Sequence, residues 1–458
     1  MPLAQVKPRR PRKNPALNNS IPQVLQSIVE WLPIDALSPF GGNARLHSPK
    51  QIRQIASSIE QFGFTNPVLI DEAGNILAGH GRVEAARILS LTEVPTLRIE
   101  RLSEMQKRAY VLADNRLAEF AGWDKNLLLI ELQHLVELDF NIELTGFSIA
   151  EFDALVEGTS AADDAADRLP EHNPTKPPVS RMGDLWQLGR HRLICADATN
   201  SESFRELLGD VRPQMGFTDP PYNLPIDGTV CGTGRIRHDE FVMASGEMSS
   251  AEFTAFLGSV FRNLAAYSVN GAIHFICMDW RHLREILDAA ENCYELKNLC
   301  IWNKDNAGLG SFYRSKHELV FVFKSGNGPH VNNFGLGETG RYRTNVWDYP
   351  GVNTLRPARI AELSLHPTVK PVAMVADAIR DCSKPNGIIL DAFAGSGTTL
   401  IAAERTRRQA FAVELDPKYV DIAIRRWEAF TGATAIHTDT GDSLAELAVR
   451  RAAQPLAC

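Results

Sequence analysis

Hydrophobic and polar positions divide the chain into two regions that differ in the order of their predicted elements. In residues 48–62, apolar side chains recur at helical spacing behind Ser48, a helix N-cap, and Pro49, at the first helical position. Two short apolar runs around a Gly-Asn turn predict strands, and three more stretches predict helices, with the strands at 67–71 and 76–77 and the helices at 83–89, 103–112 and 125–138. The pattern over 27–156 therefore predicts a small α/β domain with a helical extension.

The second region alternates strand-like apolar runs with helical ones. This order is typical of a mostly parallel sheet wrapped by helices, an α/β fold. The predicted strands are Leu185–Leu188, Met215–Thr218, Ala272–Cys277, Leu319–Phe323, Ile388–Ala392 and Ala410–Glu414. Residues 157–180 are small, acidic and proline-rich, which predicts a linker before a second domain at 181–432 and a C-terminal tail at 433–458.

Length and composition narrow the class of protein. The chain has 458 residues, of which 44% are hydrophobic and 22% charged, and this suits two or three soluble globular domains. Residues 1–26 are basic and proline-rich without an apolar core, so we expect a disordered arm, either a nucleic-acid tether or a solubilising tail. No apolar run approaches the length of about 18 residues that a membrane span needs, so no membrane association is predicted.

Cysteine usage and charge exclude several kinds of site. The seven cysteines form no Cys-x-x-Cys pair, so neither a zinc site nor a disulfide framework is predicted, no metal is expected, and a reducing cytoplasm fits. The net charge of −7 argues against a uniformly basic surface. A local basic cleft remains compatible with it, because a polyanion responds to the local field.

An acid, two prolines and an aromatic residue stand together in residues 217–226, FTDPPYNLPI, directly after a predicted strand. Adjacent prolines fix the backbone and remove two donors. The corner therefore offers acceptors, the Asp219 carboxylate and proline carbonyls, beside the flat ring of Tyr222. Such a corner suits a planar ligand that donates from an amino group. A proline-rich turn with an exposed acid is the structural alternative.

A glycine loop follows a later strand in residues 387–403, GIILDAFAGSGTTLIAA. Gly395 and Gly397 permit a tight turn, and Thr398 begins a helix whose N-terminus presents free N–H groups. Glu414 ends the next strand about 20 residues further on, the spacing at which an acid reaches ribose hydroxyls. The third glycine of the dinucleotide fingerprint is absent, which favours a nucleoside without phosphates, S-adenosylmethionine. A helix-entry turn beside a surface acid is the alternative.

Three further residues suit the methionine half of that cofactor. Asp391, at the end of the strand before the loop, is expected near the ammonium group. Upstream, the segment HPTVKP at 366–371 offers Lys370 to neutralise the carboxylate and Thr368 to hydrogen-bond it. A loop lysine without a ligand is the alternative interpretation.

Four motifs in one order resemble the β-group DNA amino-methyltransferases: DPPY at 219–222, HPTVKP at 366–371, DAFAGSGTT at 391–399 and ELDPKY at 414–419. The resemblance covers residues 183–432 and implies a Rossmann-like S-adenosylmethionine-dependent methyltransferase domain that acts on double-stranded DNA. It implies a base flipped out of the duplex, with Tyr222 as its stacking platform.

The resemblance, together with the patterns above, assigns candidate residues to three roles. The catalytic motif comprises Asp219, Pro220, Pro221 and Tyr222. Cofactor binding falls to Asp197, Thr368, Lys370, Asp391, Phe393, Gly395, Ser396, Gly397, Thr398, Glu414 and Asp416. Target recognition is expected within 227–365, where basic and aromatic residues interleave, and candidate DNA contacts are Asn223, which also orders the turn, Lys304, Tyr313, Arg314 and Lys316. A solvated loop is the alternative for that segment, and a loop that orders over DNA is predicted at 228–247.

The motif also bears on the target base. An exocyclic amino nitrogen is a poor nucleophile because its lone pair is delocalised into the ring. Accepting its hydrogens at Asp219 and at the Pro220 carbonyl favours a pyramidal nitrogen that attacks the sulfonium methyl in line. The family tends to use Asp for N6 of adenine and Ser for N4 of cytosine, so adenine is favoured. N4-cytosine methylation and a regulator that only senses the cofactor are the alternatives.

Residues 30–120 resemble the ParB/sulfiredoxin-like fold, with Gly79, Gly81 and Arg82 on its nucleotide-binding loop. The loop has no cysteine, which excludes sulfiredoxin chemistry, and Gly81 stands where ParB proteins have a second basic residue. We expect a DNA- or nucleotide-sensing accessory domain, with an inert structural domain as the alternative and a nuclease disfavoured for lack of a carboxylate cluster. Dimerisation is common among the amino-methyltransferases, so a homodimer is considered beside a monomer.

Overall fold

The computed structural model describes residues 28–159, 166–167, 170, 177–224, 243–305, 312–334, 343–351 and 369–453. The chain divides into two compact units, residues 1–124 with 143–146 and residues 125–142 with 147–458. The predicted basic arm, Thr368, most of the predicted linker and most of the loop predicted at 228–247 lie outside the described residues. Among those described, no helix combines the length and apolarity needed to cross a membrane.

The first unit is built on a five-stranded sheet in the order β1-β5-β3-β4-β2. Ser48 caps the first helix as predicted, because its side chain accepts a hydrogen bond from the Gln51 N–H. Val68 and Ile70 in the sheet and Val83 on the helix that follows it form part of the hydrophobic core of this unit. The elements are β1 (Glu30–Pro33), β2 (Ser38–Pro39), α1 (Pro49–Phe62), β3 (Val68–Ile70), β4 (Asn75–Ala78), α2 (His80–Ile88), β5 (Glu93–Arg98) and α3 (Glu104–Leu117).

Two helices that the sequence pattern attaches to the first domain belong to the second compact unit: α4 (Lys125–Glu137) and α5 (Ile149–Thr159). Asp153 on α5 and Arg408 are both buried and form a two-pronged ion pair, with Nη1–Oδ1 2.5 Å and Nη2–Oδ2 3.1 Å. Asn386 also donates to the Val136 carbonyl at 2.5 Å. Apolar spacing predicts these helices but does not say against which core they pack.

Because its partner is fully buried, removing the Asp153 carboxylate should be costly. We expect Asp153→Ala to lower the free energy of unfolding by about 3–5 kcal/mol, since Arg408 would be left as an unpaired buried charge. Chemical denaturation measures this. The control is Glu157→Ala on the same helix, whose carboxylate is 62% exposed and lies 3.5 Å from Arg380; its cost should stay below about 1 kcal/mol. Equal losses in the two variants would contradict the argument.

The second unit carries a ten-stranded sheet in the order β12-β10-β11-β9-β8-β13-β14-β7-β6-β15. Its strands are β6 (Leu185–Leu188), β7 (His191–Cys195), β8 (Met215–Thr218), β9 (Ile273–Met278), β10 (Tyr294–Asn303), β11 (His317–Ser325), β12 (Val346–Asp348), β13 (Ile388–Asp391), β14 (Gln409–Glu414) and β15 (Ile436–His437). Its further helices are α6 (Ser201–Leu208), α7 (Ser250–Tyr267), α8 (Leu283–Ala290), α9 (Val372–Cys382), α10 (Thr398–Arg405), α11 (Pro417–Thr431) and α12 (Leu444–Ala453).

The central strands β9, β8, β13, β14 and β7 are parallel, and helices connect them. After β8 the chain continues through α7 to β9 on one side, whereas after β13 it continues through α10 to β14 on the other. The strand order therefore reverses between β8 and β13. In open α/β sheets the crevice at the carboxyl ends of such strands is where ligands bind, and both predicted motifs begin there. The Rossmann-like prediction is confirmed.

The described part of the predicted C-terminal tail belongs to this fold. Strand β15 pairs with β6, and α12 follows it. Arg451 on α12 donates to both oxygens of the Asp184 carboxylate, at 2.6 and 2.8 Å. Residues up to 453 are therefore part of the second unit, where composition alone suggests only a tail.

Candidate active site

The acidic prolyl corner begins where β8 ends. The Asp219 carboxylate receives a hydrogen bond from the Tyr222 hydroxyl at 2.8 Å and an ion pair from Lys370 Nζ at 2.5 Å. Asn223, which follows Tyr222, has a positive φ of 51°. Its side chain donates a hydrogen bond to the Met248 carbonyl at 2.8 Å and accepts one from the Met248 N–H at 3.2 Å. Asn223 is buried, so the structure supports its predicted role in ordering the turn, and the direct DNA contact stays a prediction.

A second carboxylate, Glu318 on β11, completes this cluster and was not predicted. Its Oε2 lies 3.1 Å from the Tyr222 hydroxyl and 3.1 Å from Lys370 Nζ. Lys304 Nζ pairs with the other oxygen and lies 4.5 Å from the centre of the Trp302 ring. The sequence signal for Glu318 is weak: it ends the segment 313–318, which resembles the family's pocket rim less strictly than the four main motifs, and it lies about 100 residues from the DPPY motif.

The cluster balances its charges in a buried setting. Burial raises the pKa of Asp219, against the opposing pull of Lys370. Burial also acts to raise the pKa of Glu318, but Lys370 and Lys304 outweigh it and bring this pKa to about 2. Burial lowers the pKa of Lys370, yet Asp219 and Glu318 together raise it overall. Glu318 and Lys370 therefore remain charged through the neutral range.

This arrangement differs from what the sequence suggests for two lysines. The structure pairs Lys370 with Asp219 and Glu318, and its contact with the cofactor's methionine carboxylate stays a prediction. Lys304, a candidate DNA contact, pairs with Glu318. Sequence spacing places Lys370 near the pocket correctly but does not reveal the carboxylate on the distant strand that competes for it.

The glycine loop is held by side chains on both flanking strands. Asp391 accepts hydrogen bonds from the hydroxyls of Thr218 and Thr399, at 3.1 and 2.6 Å, and from the Phe393 N–H at 3.0 Å. Burial raises the pKa of Asp391 to about 6. Because its oxygens already hold the loop, Asp391 acts here as an anchor, and its predicted contact with an ammonium group stays a prediction.

Gly397 takes a left-handed φ of 83° at the N-cap of α10. A Cβ at this position would lie 3.0 Å from the Ala423 Cβ and 3.2 Å from its Cα. Beneath the loop, the buried Arg426 guanidinium donates to the Ser396 carbonyl at 3.2 Å and to the Thr398 hydroxyl at 3.1 Å. The sequence reasoning missed Arg426, which lies on α11 outside the motifs and stabilises the loop from below.

Glu414 ends β14 and faces the loop. Its Oε2 accepts from the Gly395 N–H at 2.7 Å and its Oε1 from the Asp416 N–H at 2.9 Å. Burial raises the pKa of Glu414 to about 7, although these two backbone hydrogen bonds oppose the shift. Asp416 itself caps α11 by accepting from the Lys418 N–H at 2.8 Å. Glu414 can therefore accept hydroxyl donors at the pocket edge.

Both motifs face one pocket of about 1260 Å³, measured to its open mouth. Met243, Phe256, Leu415 and Tyr419 add an apolar and aromatic lining that the sequence reasoning missed. The predicted residues along its wall are Asp197, Asp219, Pro220, Pro221, Tyr222, Lys370, Asp391, Phe393, Gly395, Ser396, Thr398, Glu414 and Asp416.

Three of the predicted DNA-contacting residues lie on one exposed segment. Tyr313, Arg314 and Lys316 are exposed on the segment that leads into β11, and the Tyr313 ring makes an edge contact with Phe312 at 4.8 Å. The Lys316 carbonyl accepts from the Lys304 N–H at 2.9 Å, which ties this exposed segment to the strand that carries Trp302. The exposed group is thus linked to the catalytic cluster through β10 and β11.

The loop of the first unit is tied to its own sheet. Gly79 has a φ of 102° and begins α2, and Arg82 Nη1 donates to the carbonyls of Asn66 and Pro67, at 2.8 and 2.6 Å. A Cβ at Gly81 would lie 3.1 Å from the Ile55 side chain. Arg82 thus has a structural use, and nucleotide binding by this loop stays a prediction. Among the described residues, no group of three or more candidate ligands could hold a metal ion.

A mixed sheet whose parallel core presents an acidic prolyl corner and a glycine loop to one pocket is typical of nucleoside-cofactor methyltransferases. Residues 214–425 match the DNA methylase family of N6/N4 type, residues 16–116 the ParB N-terminal domain, and residues 126–182 the ParB-methyltransferase HTH domain. The chain therefore contains a DNA methylase domain of the N6/N4 type and a ParB-like domain on its N-terminal side. S-adenosylmethionine is the cofactor of this family, and the chemistry of the pocket wall fits it.

Three individual proteins illustrate the similarity. The ParB-like nuclease domain-containing protein YnaK of Escherichia coli is 50% identical over 80 residues, 18% of this chain and 92% of YnaK. The DNA adenine methyltransferase YhdJ of Escherichia coli is 28% identical over 158 residues, 29% of this chain and 52% of YhdJ. The solved PvuII DNA methyltransferase (cytosine-N4-specific) superimposes with a TM-score of 0.40 at 16% identity, covering 61% of this chain and 96% of that one.

Proposed function

We propose that this DNA methyltransferase transfers a methyl group to the N6 amino group of an adenine flipped out of double-stranded DNA. The carrying observation is Asp219, a single acid at the first position of the DPPY corner, at the wall of the pocket that also contains the glycine loop. An acid at this position favours adenine within the family, and YhdJ, a relative over part of the chain, is by name an adenine enzyme. N4-cytosine methylation by the same site is the alternative.

Different pocket residues contact the ribose, the adenine and the methionine half of the cofactor. Glu414 accepts the ribose hydroxyls, and Phe393 and Phe256, whose rings contact each other with centres 6.0 Å apart, together offer the adenine an aromatic wall with Asp197 near its edge. The backbone of the glycine loop and the N-terminus of α10 lie along the methionine half. When bound, S-adenosylmethionine supplies an electrophilic sulfonium methyl group.

The chain's own residues prepare the amino group for attack. Asp219 and the Pro220 carbonyl accept hydrogen bonds from its two N–H groups, which favours a pyramidal nitrogen with a free lone pair. As the methyl group is transferred, the nitrogen gives up one of its two protons through Asp219. Tyr222 stacks on the base and holds the nitrogen in line with the donor methyl. Because no covalent enzyme intermediate forms, catalysis rests on positioning and on preorganised acceptors. The exposed Tyr313, Arg314 and Lys316 contact DNA beside the target base.

Nucleoside mass spectrometry tests the reaction. The full chain is incubated with unmethylated duplex DNA and S-adenosylmethionine, and the DNA is digested to nucleosides. Detection of N6-methyldeoxyadenosine supports the proposal. Detection of N4-methyldeoxycytidine would support the same catalytic site but overturn the choice of adenine as the target base. No modified base despite cofactor binding would favour the regulator interpretation. A homodimer and a cytoplasmic location stay predictions, the first open to sedimentation analysis.

Glu414 should make cofactor affinity depend on pH. Its pKa of about 7 lies above the ordinary 4.5, so its neutral form is favoured in the cofactor-free fold and the stability it gives is lost as pH rises through about 7. Ribose hydroxyls donate to the ionised form, so affinity for S-adenosylhomocysteine, a non-reactive analogue, should rise between pH 6.5 and 8. Glu414→Gln should remove this rise and weaken binding, as measured by calorimetry. An unchanged slope in the variant would assign the titration elsewhere.

A further inference from the structure

Both oxygens of the proposed catalytic carboxylate are already engaged in this structure. The Tyr222 hydroxyl donates to Asp219 Oδ1 at 2.8 Å, and Lys370 Nζ lies 2.5 Å from Oδ2. A hydrogen bond donated to a carboxylate oxygen draws charge from it and weakens it as an acceptor for the next donor. The amino group of a target base must therefore compete with the Tyr222 hydroxyl for Oδ1.

Glu318 offers this hydroxyl a second acceptor at almost the same distance. Its Oε2 lies 3.1 Å from the Tyr222 hydroxyl oxygen. A phenol has one hydrogen to donate, so Tyr222 serves one of the two carboxylates at a time. Rotation about a single C–O bond moves that hydrogen from Asp219 to Glu318, with every heavy atom in place.

The surroundings keep Glu318 ready for this exchange. Lys304 pairs with its Oε1, and Lys370 Nζ lies 3.1 Å from its Oε2. The two lysines hold the pKa of Glu318 at about 2 despite burial, so the acceptor is ionised at any working pH. Lys370 Nζ also lies 3.3 Å from the Tyr222 hydroxyl oxygen, and it can donate there whichever carboxylate the hydroxyl faces.

We propose that Glu318 is a positioning residue: when the target base enters, it accepts the hydrogen bond of the Tyr222 hydroxyl in place of Asp219. Asp219 Oδ1 is then free to accept a hydrogen bond from the amino group of the base. Glu318 acts through Tyr222 and Lys370 and does not itself touch the base. The inference rests on the proposed function only in that Asp219 accepts the target amino group, and it holds for adenine and for cytosine alike.

The test measures kcat for DNA methylation with Tyr222→Phe in three backgrounds: wild type, Glu318→Met and Glu318→Gln. Met removes the acceptor, fills the space and keeps water out, whereas Gln retains one acceptor oxygen. Glu318→Met should lower kcat by about tenfold with KM little changed, because the hydroxyl then stays on Asp219. Adding Tyr222→Phe should raise kcat again in the Met background, whereas in the wild-type background it should lower kcat.

The sign of the Tyr222→Phe effect decides the question. A merely structural role for Glu318 predicts that Tyr222→Phe lowers kcat by the same factor in both backgrounds, and that result would overturn the proposal. The matched control is Lys304→Met, which disturbs the same carboxylate without removing it, so its combination with Tyr222→Phe should be additive.

Cofactor binding by each variant establishes that its pocket is folded. If Glu318→Met does not bind the cofactor, Glu318→Gln decides: a kcat within about threefold of wild type supports the acceptor role, and a loss as large as that of Asp219→Ala overturns it. Failure of the proposed function is distinguishable, because wild-type protein would then yield no methylated base, or Asp219→Ala would match it in rate.

Discussion

Asp219→Ala is expected to lower kcat for DNA methylation by about 100- to 1000-fold, the usual effect of removing one preorganised group that stabilises developing charge. The loss should appear in kcat, because the Asp219 carboxylate acts on the amino nitrogen of the target base while that nitrogen attacks the methyl group. Lys370 would keep its pair with Glu318 at 3.1 Å, so no unpaired buried cation is left behind. Folding and cofactor binding should therefore survive.

Single-turnover kinetics with calorimetry separates these effects. Cofactor affinity within about threefold of wild type, with kcat strongly reduced, fits a group that acts on the attacking nitrogen. The matched control is Asn223→Ala in the same turn, which removes the bonds to Met248 and should weaken DNA methylation through turn order. A kcat for Asp219→Ala within tenfold of wild type would contradict the assignment of this carboxylate.

Gly397→Ala should abolish most cofactor binding. A left-handed φ costs an L-residue about 1–2 kcal/mol, and the new Cβ would also lie 3.0 Å from the Ala423 Cβ, closer than packed carbons tolerate. The loop must shift to relieve that contact, and it carries the backbone groups proposed to line the cofactor. We expect affinity for S-adenosylhomocysteine to fall on the order of 100-fold, which corresponds to about 2.8 kcal/mol.

The chain contains a matched control for backbone strain alone. Gly432 ends α11 with a φ of 72°, and a Cβ there would meet no atom within 4 Å. Gly432→Ala should therefore cost about 1 kcal/mol of stability and leave cofactor affinity unchanged. If the two alanine variants bind S-adenosylhomocysteine equally well, close packing at Gly397 has no role in the pocket.

Local motifs carried most of what the sequence could predict. The strands that end at Thr218, Asp391 and Glu414 were placed within a residue or two, because buried parallel strands read as short apolar runs. Side chains that follow such strands meet at one edge of the sheet, so both halves of the pocket could be anticipated. Ser48 and Pro49 likewise marked the start of α1 because capping is a local interaction.

Partners that are distant in sequence could not be predicted in this way. Glu318 reaches Tyr222 only because β11 pairs with β9 in an antiparallel extension of the parallel core. Arg426 supports the loop from α11, and no local pattern marks it. Both contacts depend on how strands and helices pack, which a motif search does not address. The pairing of Lys370 with Glu318 could not be predicted for the same reason.

The boundary between the two units also bears on how such a chain is assembled from parts. Helices α4 and α5 pack on each other in a small apolar cluster of their own and are tied to the catalytic part of the unit by the Asp153–Arg408 pair. A fragment cut at the proline-rich segment would lose these helices and leave Arg408 as an unpaired buried charge. Gene fusion or recombination that exchanges the ParB-like half is therefore expected to succeed with a junction near residue 124 and to fail with one near residue 180.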